Sequence, residues 1–275
     1  QCPDIDYLTI SSYDLVCFFF FFSSRRRHTR SLCDCSDVCS SDLKALTSLN
    51  DKWAKTAVVL PTIAPVSLPE TSTVYFYDVP NAKQSMLYFG HAAPTVESPD
   101  IYTADVMNYR LGGGGFASQL MQELREGKGY TYGIRSGFSY DNYTGMFTIR
   151  SGVRSNVTLE AIETIREILT SFGDNYSQED LDITKGFTLK SNARAFETLR
   201  AKLNVVGNVN GYGFDNNYVT QREKEVKALT VDDMKRLYST YVHPDKMIYL
   251  VVGDKATQFE RLEALGLGKP VLINP

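Results

Sequence analysis

Metal-ligating and nucleophilic side chains are scarce in this chain, and their placement excludes more chemistry than it suggests. All five cysteines (Cys2, Cys17, Cys33, Cys35 and Cys39) and one of the three histidines, His28, lie in the first 39 of 275 residues. The C-x-C-x3-C run is not the paired C-x2-C spacing of a closed tetrahedral zinc site. The other two histidines are His91, in "FGHAAP", and His243, in "VHPD". Neither H-x-x-E-H nor H-E-x-x-H occurs, so no helix presents the usual pair of zinc-binding imidazoles. No G-x-S-x-G elbow occurs, and no cysteine follows residue 39. His243, placed before a helix-stopping proline, is expected to serve a helix C-terminus.

The densest chemistry sits in "LGGGGFASQLMQELREGKGYTYG", Leu111 to Gly133. Gly112, Gly113, Gly114 and Gly115 with Phe116 and Ala117 formally match G-x-G-x-x-A. That fingerprint needs a strand before it and a helix after it. Here a helical pattern comes first and no phosphate-binding lysine follows, so the glycines are expected to end one helix and turn into the next. Arg125 closes the second helical run, where a cation suits the dipole and can pair with Glu126. Tyr130 and Tyr132 follow on a strand-like run, where aromatic rings fit a half-buried surface.

These residues need elements to hold them. Val74–Tyr77 and Ser85–Phe89 read as strands around the Pro80-Asn81 turn. A helix is predicted from Pro99-Asp100 through Ala104, Met107 and Leu111, and it resumes from Ala117 with Leu120, Met121 and Leu124 on one face. Tyr130–Tyr140 and Gly145–Val153 read as strands joined at Asp141-Asn142. Leu159, Ile162, Ile165, Leu169 and Phe172 recur at helical steps. Ser177 to Asp180 and Thr230 to Asp233 are expected to open two further helices as capping boxes. "MIYLVV", Met247–Val252, is a buried strand that closes the domain. The predicted fold is α+β, a two-layer sandwich with a mostly antiparallel sheet packed against helices.

Composition divides the chain. Its 19 glycines all lie at or beyond Gly90, and its cysteines all lie before residue 40. Residues 1–43 contain five consecutive phenylalanines and an "SSRRRHTRSLCD" string that resembles translated sequencing-adaptor sequence. Their apolar run, Leu15 to Phe22, is too short to span a bilayer, and its arginines follow it rather than precede it. Residues 1–43 are therefore expected to add nothing to the fold. Residues 44–73, with Leu46, Leu49 and Trp53 and then Pro61, Pro65 and Pro69, are expected to form a short helix and a linker. Residues 74–275 are the expected domain. A formal net charge of -3 gives no reason to expect nucleic acid as a partner.

The "LGGGGFASQLMQELREGKGYTYGI" run, with "AKQSMLYFGHAAP" before it and "VVGD" after it, resembles the pitrilysin/insulinase family of zinc metallopeptidases, which includes mitochondrial processing peptidases. The likeness extends from about Val74 to Asp254. It implies two homologous halves, each of two α+β domains, around a closed chamber. One half carries H-x-x-E-H. The other contributes an arginine and, seven residues on, a tyrosine that reach the bound peptide. In this sequence that pattern falls on Arg125 and Tyr132, with Tyr130 as the competing tyrosine. The resemblance thus implies the C-terminal, non-catalytic domain of a peptidase, truncated upstream. Its zinc would be held in a partner half, with none bound by this chain, and an extended peptide would be the substrate. The alternative it leaves open is a structural scaffold of the same fold.

Overall fold

The computed structural model describes Thr47, Lys52, Ile63, Ala64 and residues 66–274. The chain divides into two units, Gln1–Thr62 and Ile63–Pro275, and the second holds nearly all described residues. The expectations for residues 1–43, and for most of the helix and linker before Ile63, fall outside them.

Two strands open the domain, β1 (Thr73–Asp78) and β2 (Gln84–Ala92). In both, buried positions alternate with more exposed ones, Val74 and Phe76 in β1 and Ser85, Leu87, Phe89 and His91 in β2, the pattern of a strand buried on one face. Asn81 turns the chain between them in the left-handed region, φ 62°. Asparagine tolerates that conformation better than most residues. Its N–H donates to Asp254 Oδ1 at 2.9 Å, which ties the turn to the end of the domain.

Helix α1 (Ile101–Asn108) follows, and runs into a single π-helical turn, Tyr109–Gly113. A 3-10 turn (Gly115–Ala117), a short helical turn (Gln119–Met121) and a second π-helical stretch (Gln122–Gly127) lead to β3 (Thr131–Tyr140) and β4 (Gly145–Arg154). Then come α2 (Thr158–Asn175), α3 (Gln178–Asn192), α4 (Leu199–Tyr212), α5 (Tyr218–Ala228) and α6 (Val231–Tyr241). The last strands are β5 (Ile248–Gly253) and the short β6 (Val271–Leu272).

Both capping boxes form. Asp233 N–H donates to Thr230 Oγ1 at 3.2 Å and Thr230 N–H returns to Asp233 Oδ2 at 2.9 Å. Ser177 and Asp180 make the same exchange at the start of α3. Each box satisfies two N–H groups that the first turn of a helix leaves without partners.

The sheet order is β3-β4-β2-β5-β1-β6. The sheet is mixed rather than mostly antiparallel: β5 runs parallel to β1 and antiparallel to β2, and β6 is parallel to β1. The physical reason is the route of the chain. β5 arrives only after the helices and enters between the first two strands, and a helical crossover permits parallel pairing where a hairpin does not. Helices cover one face, where Phe76, Phe89, Phe147 and Tyr249 are fully buried in one core with Ile162, Ile165 and Leu169 of α2. Each such side chain contributes about 1.5–3 kcal/mol.

Candidate functional site

Arg125 stands on the second π-helical stretch, which buries Leu124 completely, as the short helical turn before it buries Leu120. Three contacts fix its guanidinium. Nη1 donates to the Tyr132 carbonyl at 3.0 Å, Nε lies 3.3 Å from Glu126 Oε1, and Cζ sits 4.5 Å above the Phe116 ring. The helix-end pairing with Glu126 is thus present. The guanidinium keeps donors to spare, since it carries five N–H groups.

The two tyrosines part company. Tyr130 packs against the core, and its N–H donates to Leu124 O at 2.8 Å. Tyr132 is 89% exposed. A β-bulge explains the difference. Thr131 pairs with Val153 and Ile134 with Ser151, so three steps along β3 match two along β4. Ile134 points inward, and strict alternation would send Tyr132 inward too; the extra residue turns it out. Two hydroxyls hold the bulge: Gly133 N–H donates to Thr131 Oγ1 at 2.9 Å, and Ser151 Oγ donates to Gly133 O at 3.1 Å.

The glycine turn is a packing device, and a helix rather than a strand precedes it. Asn108 and Ser136 lock α1 to β3: Asn108 Nδ2 donates to Ser136 O at 3.0 Å, and Ser136 Oγ donates to Asn108 Oδ1. Gly112 lies directly on this pair. A Cβ there would fall 2.3 Å from Ser136 Oγ and 2.6 Å from its backbone nitrogen. Gly112→Ala is therefore expected to cost about 1–3 kcal/mol by overpacking. Gly115→Ala, where φ is +58° with open space around the site, would cost only backbone strain. Urea denaturation of the two variants measures both, and an unchanged midpoint for Gly112→Ala would refute the close-packing account.

Sequence reasoning missed the residue beneath the turn. Buried Arg110 donates through Nε and Nη2 to Asp180 Oδ1, each at 2.7 Å, and through Nη1 to Ala117 O. One guanidinium thus joins α1's π turn, the end of the glycine segment and the capping box of α3. Burial alone would raise the Asp180 carboxyl, but the Ser177 N–H and hydroxyl and Arg110 together hold it below its usual value. The only available signal was Asp180's place in the capping box; nothing marks Arg110.

Histidine chemistry points away from a metal. His91 is buried, with Nδ1 2.8 Å from Ala92 O and Nε2 accepting the His243 N–H at 3.2 Å. Both ring nitrogens are engaged, which fixes the neutral tautomer. The His243 ring lies 5.3 Å from that of His91, beyond the end of α6 at Tyr241. Among the described residues no group of three or more His, Cys, Asp or Glu could hold a metal ion. The described residues do not fit a zinc ion.

Burial lowers the His91 pKa from 6.5, against the Ala92 carbonyl, and burial lowers His243 as well. The unfolded chain therefore binds more protons just below pH 6.5. Stability from His91 is complete above that value and is lost as pH falls towards the depressed folded value. Urea midpoints between pH 7.5 and 5 are expected to fall, with a shallower fall in His91→Gln. An identical slope in the variant would remove His91 as the cause.

The domain is thus an α+β sandwich in which Arg125 and Tyr132 lie beside a glycine turn, with no metal-binding cluster among its described residues. The chain matches the family described as the peptidase M16 inactive domain over residues 36–186, a stretch that begins inside the segment read as foreign to the fold. It belongs to that family. Inactive domains of the family pair with catalytic halves. The chain is similar to the non-peptidase homolog YmxG of Helicobacter pylori, at 24% identity over 179 residues, covering 64% of this chain and 41% of that protein. It is also similar to the uncharacterized zinc protease YmxG of Bacillus subtilis, at 30% identity over 136 residues, covering 49% of this chain and 33% of that one. The chain thus spans less than half the length of either relative. Its fold matches the crystal structure of a peptidase M16 inactive domain from Pseudomonas fluorescens, with TM-score 0.67, 24% identity, and 78% and 51% of the two chains covered. No described helix is long and apolar enough to cross a membrane.

Proposed function

We propose that this domain walls the peptide chamber of a zinc endopeptidase and donates Arg125 and Tyr132 to a bound extended peptide. The zinc and the H-x-x-E-H motif reside in a partner half. One observation carries the reading: an exposed phenol on a bulge stands beside a guanidinium anchored to the same residue's carbonyl. An exposed tyrosine gains little from packing, so a bulge that turns it outward serves contact with something outside the domain. In peptide hydrolysis, negative charge develops on the attacked carbonyl oxygen. Donors held in advance at that position lower the barrier without reorganising. Arg125 is held by three contacts, and Tyr132 offers one O–H.

A second reading, a scaffold without proteolytic role, has in its favour the name of the H. pylori relative, a non-peptidase homolog. Steady-state kinetics of the domain joined to a zinc-bearing half separates the two. Loss of turnover in Tyr132→Phe supports the donor role; full turnover in both Tyr132→Phe and Arg125→Ala leaves the scaffold.

A further inference from the structure

The sheet face away from the helices carries an uneven pattern. Register places Arg135 opposite Arg150 on β3 and β4, and the same row continues through Tyr88, Leu250 and Tyr75. Both arginines are exposed, and neither side chain makes a hydrogen bond or ion pair among the described residues. Like charges directly opposite on paired strands are destabilising. Arg154 adds a third cation four residues further along β4, and no strand position on this face holds an acidic residue among the described residues. The chain as a whole is acidic, which makes this local excess of positive charge stand out.

Beside the cations the face is apolar. A groove of ≈ 570 Å³ lies among Val66, Tyr88, Gly90, Met146, Ile248 and Leu250. Tyr88 belongs both to the groove and to the arginine row. From Leu250 to Arg135 the row crosses three inter-strand steps of about 4.8 Å, roughly 14 Å in all. Four residues of extended peptide span that distance with both side chains on one side. Tyr132 faces the same side of β3, three residues before Arg135.

We infer that this face selects extended peptides bearing a glutamate or aspartate side chain four residues from an apolar one, with the carboxylate on Arg135 and Arg150. The inference rests on the peptide-lining role proposed above and adds a sequence preference to it. Two guanidinium forks facing one carboxylate relieve their mutual repulsion and form charge-assisted hydrogen bonds.

The test is fluorescence-anisotropy binding of labelled peptides of about ten residues to the full chain. Both peptide ends are blocked, and the pair differs only in glutamate against glutamine four positions from a leucine. The glutamate peptide is expected to bind on the order of tenfold tighter, equal to about 1.4 kcal/mol, and less so as salt rises. The Arg135→Gln/Arg150→Gln chain, with an unchanged circular dichroism spectrum and melting temperature, is expected to bind the two alike. Equal binding by the unaltered chain, or a preference that survives in the variant, overturns the acidic preference while leaving peptide binding standing. No binding of either peptide overturns the peptide-lining role together with it. If the glutamine peptide with a free C-terminus matches the glutamate peptide, the arginines read a chain end rather than a side chain, and the inference fails in that form.

Discussion

Tyr132→Phe, in the domain joined to a zinc-bearing half, is expected to lower kcat by about 10²–10³-fold with little change in substrate affinity. The size follows from the loss of one pre-positioned donor to a developing oxyanion, worth about 3–4 kcal/mol. Stability is expected to hold, because Tyr132 is 89% exposed and its hydroxyl makes no hydrogen bond among the described residues. Arg125→Lys should act similarly for a different reason. An ammonium keeps the charge but cannot at once reach the Tyr132 carbonyl, approach Glu126 and stack over Phe116. Melting temperatures within a few degrees of the parent would accompany both losses. A stably folded Tyr132→Phe enzyme with normal kcat would shift the assignment to Tyr130, whose ring lies against the core. Normal kcat in Arg125→Ala as well would leave only helix, turn and strand in this stretch.

The largest stability effect is expected at Arg110. Arg110→Ala removes one partner of a buried ion pair and leaves the Asp180 carboxylate with only the Ser177 contacts. Such a loss costs about 3–5 kcal/mol, most of it the penalty of an uncompensated buried charge. The Ala117 carbonyl loses its donor in the same step, so the glycine segment should loosen along with α3. Urea denaturation reads the first effect, and amide hydrogen exchange across Gly112–Gln122 reads the second. The Arg110→Met/Asp180→Leu double variant should recover much of the stability, since apolar replacement of both partners avoids the buried charge. A single-variant loss below about 1 kcal/mol would mean that water reaches the pair. The pair's pH dependence has a defined sign. Because Asp180 is held below its ordinary value, its contribution is present above that value and is lost only as pH falls through the lower folded value.

What was legible in the sequence followed from local rules. α2 declares itself by the spacing of Ile162, Ile165, Leu169 and Phe172, all fully buried. The two capping boxes announce where α3 and α6 begin. The hairpin of β3 and β4 follows from Asp141, whose Oδ1 accepts the Tyr143 and Thr144 N–H groups, both at 2.7 Å. Pairing partners were not legible, because a strand's own pattern fixes which face is buried but not which strand lies beside it. Hence β1 and β2 read as neighbours, yet β5 lies between them. α4 and α5 gave little signal, since α4 buries none of its residues and α5 only Tyr218 and Val226. At the candidate site the spacing of Arg125 and Tyr132 was visible. The bulge that separates Tyr132 from Tyr130 was not, because it exists only in the register between β3 and β4. Arg110 and Asp180 lie 70 positions apart, and no local rule connects them.

The position of β5 also constrains how the chain can assemble. β1 and β2 are joined into one sheet only through Ile248–Gly253, more than 150 residues downstream of either strand. During vectorial synthesis the edges of the first two strands that β5 will fill must therefore stay open while six helices emerge. Pairing of such long sequence separation makes for slow folding. Until β5 arrives, β1 has no partner strand and β2 keeps one open edge, the kind of surface on which chains associate with one another.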